Sequence, residues 1–374
     1  MRRSRRSPHS EPGQSLVIVA LSLVALIGML ALVMDGGFTY LQRRVAQNAA
    51  DAGALAGARE WCMTRNADSA IAAAADYAVN RNGAQEATAS IDSGEVIVTT
   101  QTTFQTAFAQ VLGQPDVTVG ANAGAGCFQP TSGTGVLPVG WSCRAGEAPI
   151  SPGGPCNVEY NKTYIIMDSA TSSADHCAPQ GTLDCDIDND GRNDILNGSG
   201  DRSWLDFSGQ CGGGSCLPDW IQNGYPDPVD IHTWVPGQTG NITPVYNAAK
   251  TKEHQYVILP FFDLVCKGNP ATTPGCVFHS GDPQDQYTPA GPCKAGEWCF
   301  HIIGFSYFYI ECVSKTPGLN CPEKKLAVQA GLLSSNDRSI EGHFEPGGII
   351  PGLTGKGDPA DTYDMGLYTL YLTR

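Results

Sequence analysis

The first feature of the hydrophobic pattern is an uninterrupted apolar run near the amino terminus. Leu16 to Met34 are nineteen residues without a charged residue, Asn, Gln or Pro. At 1.5 Å per residue they would form a helix of roughly 28 Å, the thickness of a bilayer's hydrocarbon core. The run predicts a transmembrane signal-anchor over residues 15–35, preceded by a basic tail over residues 1–14. A cleaved signal peptide and a buried helix of a soluble protein are the alternatives.

Helical and strand periods alternate over the next ninety or so residues. Small and apolar residues recur at three- and four-residue steps from Tyr40 to Glu60, which predicts that the first helix continues past the span. Asp68–Asn82 has the pattern of a second, Ala-rich helix. The later predicted elements are a hairpin of Ala87–Ile91 and Glu95–Thr103 around Asp92-Ser93-Gly94, a short helix from Phe104 to Leu112, and a strand from Val117 to Ala123. Together these elements predict an α/β module over residues 36–126.

After Cys127 the helical period largely disappears, and short apolar runs alternate with Gly, Pro, Asn and Asp clusters. The overall class is therefore predicted as α+β, with an irregular β-rich domain over residues 127–374. Trp204, Trp220 and Trp234 could be core anchors of this domain or exposed platforms for glycans. The predicted strands are Thr163–Met167, Ile231–Val235, Tyr256–Phe262, Cys299–Ile310, Leu326–Ala330 and Leu367–Leu372.

The distribution of charge adds an orientation. Residues 1–34 contain four Arg and one acid, whereas the rest of the chain contains 19 Lys and Arg against 36 Asp and Glu, a net charge of −17. The basic tail predicts a cytoplasmic amino terminus and an extracytoplasmic location after about residue 35. The acidic remainder argues against nucleic acid as a partner, because it could not neutralise a phosphate backbone.

All 14 cysteines follow the apolar run, between Cys62 and Cys321. An even number on the outer side of a membrane predicts disulfides, up to seven, of undetermined connectivity. Zinc is the alternative. The closest spacings, Cys211/Cys216 and Cys293/Cys299, have no His at a spacing typical of zinc fingers.

Three elements of the first part together form a family signature: Gly13-Gln14-Ser15, then Asp35-Gly36-Gly37 after the apolar span, then the run Gln47-Asn48-Ala49-Ala50-Asp51-Ala52-Gly53-Ala54-Leu55-Ala56-Gly57-Ala58. This combination resembles the amino-terminal segment of TadE/TadG-like proteins of the Tad (Flp) pilus-assembly system, and the likeness extends more loosely over residues 13–126. It implies a pilin-like module in the cell envelope of a bacterium or archaeon.

The resemblance also implies a function. The chain is predicted to be a structural or minor-pilin-like subunit that assembles or anchors a Tad pilus, with pilus-assembly proteins or pilin-like subunits as partners. No enzymatic reaction is required. The alternative is an adhesin that displays its outer domain, on a Tad-like anchor, to a surface glycan or protein ligand. An envelope hydrolase is a third class, for which no motif stands out.

One motif predicts a metal site. Residues 186–194 read D-I-D-N-D-G-R-N-D, the spacing of EF-hand-like calcium loops, in which alternate carboxylates converge on one hard cation. An empty surface turn is the alternative. The TadG resemblance implies a second candidate, a von Willebrand-type metal site beginning at Asp168-Ser169, which is a weaker match because Ala170 stands where a hydroxyl is expected. The predicted ligands of a structural Ca²⁺ are Asp186, Asp188, Asp190, the Arg192 carbonyl and Asp194.

Overall fold

The structure is a computed structural model. It describes residues 12–143, 158, 160–169, 204–238, 243–269, 271–272, 286–287, 293–294, 296–315, 318–331, 333–357 and 362–374. These residues form a mixed helix and sheet protein with two compact units. The first unit is Met1–Cys127 with Leu370–Arg374, and the second is Phe128–Thr369.

The helices are α1 Pro12–Thr64, α2 Ala67–Asp76, α3 Leu217–Asn223, α4 Thr243–Lys250 and α5 Pro322–Gln329. The strands are β1 Glu86–Asp92, β2 Glu95–Gln105, β3 Asp116–Phe128, β4 Ser132–Gly133, β5 Trp141–Ser142, β6 Thr163–Asp168, β7 Val229–Asp230, β8 Thr233–Pro236, β9 Tyr256–Lys267, β10 Gln286–Tyr287, β11 Trp298–Ser314, β12 Ser339–Glu345, β13 Leu353–Thr354 and β14 Thr369–Leu372.

The first unit is a four-stranded sheet, in the order β1-β2-β3-β14, packed against the second half of α1. The predicted hairpin is confirmed: β1 and β2 pair antiparallel, and Ser93 and Gly94 both have positive φ, as a type I′ hairpin turn requires. The helix α1 is continuous through Gly36 and Gly37. The core between helix and sheet consists mainly of alanines and valines, among them Ala50, Ala54, Ala58, Ala74, Val96 and Val98.

A disulfide closes the end of this unit. Cys62 lies in the last turn of α1 and is bonded to Cys127 near the end of β3. The final strand, β14, is hydrogen-bonded beside β3, where the Thr373 N–H donates to the Gly124 carbonyl over 2.8 Å. The carboxyl-terminal residues Leu370–Arg374 therefore belong to the first unit, whereas the sequence placed them in the outer domain.

The second unit is organised around one long strand. One edge of β11 pairs with β9, and its other edge pairs with β8 in its first half and with β12 in its second half. The strands β10, β6 and β5 complete this seven-stranded sheet, and β13-β4-β7 form a smaller one. Most of β11 is buried, which agrees with its almost continuous apolar sequence.

The sheet is covered by large aromatic residues. Trp204, Trp220 and Trp234 are all buried, which confirms the core alternative for these tryptophans. Around Phe344, for example, the rings of Phe261 and Phe308 pack edge-on at centroid distances of 5.2 and 4.8 Å. Large rings such as these bury much apolar area per residue, which suits a domain with few long aliphatic runs.

The prediction of a strand at Leu326–Ala330 is wrong, because these residues lie in or at the end of α5. Pro322 occupies its first turn, where a missing N–H is tolerated. The carboxylate of Glu341 accepts the N–H groups of Glu323 and Lys324 at 2.9 Å each and so satisfies the start of the helix. The apolar run was too short to distinguish a strand from a buried helix turn.

Candidate functional site

The two halves of α1 have opposite environments. Described side chains from Ser15 to Leu30 are exposed, although nearly all are apolar. Among the residues that the structure describes, α1 is the one helix long and apolar enough to cross a membrane. From Ala46 onward, one face of the same helix is buried against the sheet of the first unit. The helix thus fits a single-pass membrane anchor that continues into the core of a folded module.

Asp35 lies at the junction between these halves. Its Oδ1 accepts the N–H of Ala107 at 2.9 Å, and its Oδ2 accepts the N–H groups of Phe108 and Ala109 at 3.0 and 2.7 Å. These amides lie at or just before the start of a 3₁₀ turn at Ala109–Leu112. The first N–H groups of a helical turn have no acceptor within the turn itself. One carboxylate therefore caps this turn and holds it against α1.

The same junction contains an aromatic contact. The rings of Phe38 and Phe104 meet edge-on at a centroid distance of 5.0 Å. Further along the helix, the buried Thr100 hydroxyl donates to the Ala46 carbonyl over 2.9 Å. The Thr100 hydrogen bond, the ring contact and the Asp35 cap therefore hold β2 and the turn after it against α1, as far as the end of the apolar span. Asp35 belongs to the family signature recognised in the sequence, but the three amides that it binds are 72 to 74 residues away.

The Ala- and Gly-rich run from Gln47 to Ala58 is the packing face of α1. A Cβ at Gly53 would lie 2.8 Å from the Ala74 carbonyl, and one at Gly57 would lie 2.7 Å from a Val96 methyl. Real Cβ atoms do not approach that closely, so α2 and β2 require glycine at both positions. This run therefore packs against its own module.

Enlarging Gly57 is expected to destabilise the first unit. Gly57→Leu should lower the free energy of unfolding by at least about 1–3 kcal/mol, because β2 and α2 must both move to admit the side chain. Gly36→Leu on the same helix is the matched control, since a Cβ at Gly36 would have no atom of the surrounding protein within 4 Å. Hydrogen exchange of the β2 amides in detergent micelles measures both, and equal protection in the two variants would contradict the packing argument.

Residues 13–60 match a protein-family model described as "Putative Flp pilus-assembly TadE/G-like". The TadE/TadG resemblance is thereby confirmed over the apolar span, Asp35 and the Gly- and Ala-rich run. The matched segment relates the chain to Flp pilus-assembly proteins and to their machinery in the membrane. No curated protein and no solved structure matches the chain.

The predicted calcium ligands lie in a part of the chain that the structure does not describe. Asp186, Asp188, Asp190, Arg192 and Asp194 lie outside the described residues, as do Arg2, Arg3, Arg5 and Arg6 of the basic tail. At the weaker von Willebrand-type match, Asp168 and Ser169 are buried at the end of β6. The calcium loop therefore stays a prediction.

The cysteine spacings considered for zinc are disulfides. Cys211 is bonded to Cys216, and Cys293 to Cys299. A fourth pair in the described part of the chain joins Cys312 to Cys321. The Asp206 carboxylate near the first of these pairs accepts the Cys211 N–H at 2.7 Å, so it supports a loop rather than a metal.

The second unit also has a surface cleft that the sequence did not indicate. It encloses about 220 Å³ between the β9/β11 sheet and the end of α3, and Lys252 is one of its lining residues. Tyr256 and Tyr307 line it as a parallel stacked pair, 4.7 Å between centroids and 8° between planes. A flat aromatic pair beside a cation is suited to binding a polar ligand with an apolar face. Tyr256 and Tyr307 are 51 residues apart in sequence, so only the pairing of β9 with β11 brings them together.

An ionic cluster lies beside this tyrosine pair. His343 Nδ1 is 2.8 Å from Glu311 Oε1, and its Nε2 is 3.0 Å from Glu345 Oε1. Both bonds need two N–H groups and hence the imidazolium form. Partial burial disfavours that charge, but the two carboxylates outweigh it and raise the pKa of His343. The Tyr256 hydroxyl donates to Glu345 Oε2 over 2.7 Å, which joins the cluster to the cleft.

This cluster predicts a pH dependence of stability. Because the pKa of His343 is raised on folding, its contribution is fully present below the unfolded value near 6.5 and is lost as the pH rises through the folded pKa. His343→Gln should therefore lower the free energy of unfolding by about 1 kcal/mol at mildly acidic pH and by much less at alkaline pH. Urea unfolding of the parent protein and of His343→Gln at several pH values measures this difference in stability. Glu311→Gln, introduced into each of these two proteins, is the control. A difference independent of pH would contradict the imidazolium assignment.

Proposed function

We propose that this protein is a structural or minor-pilin-like subunit that assembles or anchors an Flp pilus. The observation that supports the proposal is the family match over residues 13–60. These residues lie in one helix, α1, whose first half is apolar and exposed and whose second half packs into the first unit. A pilin-like subunit needs this division, because it must be held in a membrane and also present a folded domain to its neighbours.

The proposed topology places the amino terminus in the cytoplasm and the residues after about 35 outside. Four Arg before the span support this orientation, as does the presence of disulfides only after it. The proposed role is one of assembly and involves no reaction of its own.

Deletion and pull-down together test the assembly role. Removing the gene should abolish or shorten pili seen by electron microscopy, and the tagged full chain should co-purify pilus-assembly proteins from detergent-solubilised membranes. Complementation with Gly57→Leu should fail, whereas Gly36→Leu should restore pili. If pili are normal without the protein and only attachment to a surface is lost, the assembly role is refuted.

The aromatic cleft favours a second candidate function, display of an adhesin on the same anchor. In this case the stacked Tyr256 and Tyr307 would contact a surface glycan or protein ligand, and Lys252 would contribute a charge. Tyr256→Ala should then reduce attachment of cells while pilus number stays constant. Unchanged attachment would remove the support for this candidate.

We also propose that residues 186–194 bind a structural Ca²⁺. The support is the alternation of Asp186, Asp188 and Asp190 before Gly191, which would repel one another without a cation. Calorimetry of the full chain with Ca²⁺ should show binding that is abolished in Asp188→Ala/Asp190→Ala. Identical titrations of the two proteins would defeat the assignment.

A further inference from the structure

The 3₁₀ turn capped by Asp35 is positioned at the end of the apolar span. Asp35 directly follows Met34, the last residue of the span, so about 1.5 Å of helix axis separates them. Three hydrogen bonds hold the amides of residues 107–109 to the Asp35 carboxylate. Ala31, one helical turn earlier, is half-buried, whereas its neighbours in the span are exposed. The turn therefore reaches the last turn of the span.

The composition of this turn is unusual for a loop of an acidic protein. No charged residue occurs from Val96 to Pro115. Val111 is 82% exposed and Phe108 is 36% exposed, so the turn presents apolar side chains outward. An ordinary soluble loop at this level would more often carry charged or polar residues at such positions.

The neighbouring face of α1 has the residues of a membrane boundary. Phe38 and Tyr40 are 43% and 65% exposed just beyond Asp35, and Arg44 lies over the Tyr40 ring at 5.9 Å. Exposed aromatic residues followed by cations are typical of the layer between hydrocarbon and water. This layer extends roughly 5–7 Å on each side of the hydrocarbon core, which includes the level of Asp35.

We infer that the turn Ala107–Leu112 is a second membrane contact, which inserts Phe108 and Val111 into the interfacial layer of the bilayer that α1 crosses. Asp35 is the residue that positions the turn in this layer, because its carboxylate accepts hydrogen bonds from three backbone amides that would otherwise need water. The module would then stand on the membrane at two points, the helix and the turn. This arrangement limits how the module can tilt on its anchor. The inference rests on α1 as a membrane anchor and goes beyond the assembly role.

Fluorescence quenching by brominated lipids tests the contact. The full chain would be reconstituted in vesicles of phosphatidylcholine and phosphatidylglycerol that contain lipid brominated near the top of its acyl chains. Val111→Trp should add emission that these lipids quench at least about twofold more strongly than lipids brominated near the chain ends, as expected for an interfacial residue. The parent protein, with its six tryptophans, supplies the background to subtract.

Two further variants make the outcome decisive. Leu26→Trp, in the middle of the span, should be quenched most by the deeply brominated lipid, and Ser90→Trp, exposed on β1, by neither. If Leu26→Trp is quenched and Val111→Trp behaves like Ser90→Trp, the turn does not touch lipid and the inference is overturned. If Leu26→Trp is also unquenched, the membrane anchor itself is wrong.

Removal of the Asp35 carboxylate tests whether this residue positions the turn at the membrane. Asp35→Ala should release the amides of residues 107–109, which hydrogen exchange detects as faster exchange confined to the turn. In the same variant the added emission of Val111→Trp should lose its preference for the shallow quencher. Persistence of that preference without Asp35 would show that the carboxylate does not position the turn.

Discussion

Removal of the disulfide between Cys62 and Cys127 is expected to lower the free energy of unfolding of the first unit by about 4 kcal/mol. The bond joins the last turn of α1 to the end of β3, and the cysteines are 65 residues apart in sequence. In the chain-entropy account, a link across a loop of that length restricts the unfolded chain strongly. The bond also keeps the packing face of α1 in register with the sheet.

The double variant Cys62→Ser/Cys127→Ser measures this effect without leaving a reactive thiol. Hydrogen exchange of the β2 and β3 amides during urea unfolding reports on the first unit by itself. The control is Cys312→Ser/Cys321→Ser, whose cysteines are 9 residues apart, so the same account gives about 2.5 kcal/mol, in the second unit. If the first unit were as stable without Cys62 and Cys127, the packing of α1 alone would hold it together.

The second large effect is expected in the second unit, where Glu341→Ala should lower the free energy of unfolding by about 3–5 kcal/mol. Glu341 is only 1% exposed, and its carboxylate accepts three hydrogen bonds, two from the α5 amides and one from the Ser339 hydroxyl at 2.8 Å. Alanine would leave these donors buried without an acceptor, and it would open a cavity beside α5.

The variant would also remove one of the two carboxylates that favour the charged form of a buried lysine, the other being Asp337. The side chain of Lys324 is fully buried, and its Nζ donates to the Ser314 hydroxyl over 2.9 Å and to the Ser335 carbonyl over 3.2 Å. Burial lowers the pKa of Lys324 and raises the pKa of Glu341, as expected when both charges are removed from water. Asp337 and Glu341 offset part of this cost for Lys324, and the hydrogen bonds from Ser339 and the α5 amides do so for Glu341.

Urea unfolding of the second unit measures the effect. Glu345→Ala is the matched control on the same strand, because that carboxylate is partly exposed and its loss should amount to no more than about 1 kcal/mol. A loss for Glu341→Ala as small as that for Glu345→Ala would mean that water reaches the α5 amides. In that case Glu341 would not be the residue that holds the helix on β12.

The local elements of the first unit were predictable from their sequence because their signals are local. A long apolar run, Ala-rich helical spacing and the Asp92-Ser93-Gly94 turn each act within a few residues, and α1, α2 and the β1/β2 hairpin follow. The signature around Asp35 was recognisable as well, and the family match over residues 13–60 confirms it. Its physical role was not predictable, since the three amides that Asp35 binds are 72 to 74 residues away.

The second unit was less predictable because its elements are short and its contacts are distant. A five-residue, mostly apolar run such as Leu326–Ala330 fits a strand or a helix. Only the hydrogen bonds between the first α5 amides and the distant Glu341 carboxylate decide between them. The stacked tyrosines of the cleft depend on the register between β9 and β11, which includes bulges that periodicity does not reveal. The cysteine count indicated disulfides, but the partners required three-dimensional proximity.

The sequence by itself determined that the chain has a membrane-length apolar helix, a TadE/G-like signature and cysteines confined to the residues beyond the span. These properties depend on composition and on near neighbours, which a linear sequence displays directly. Only the tertiary structure decided that Asp35 caps a distant turn, that β14 returns to the first unit and that Glu341 and Lys324 share one buried site. Those features depend on residues that are remote in sequence, and chain folding alone places them within hydrogen-bonding distance.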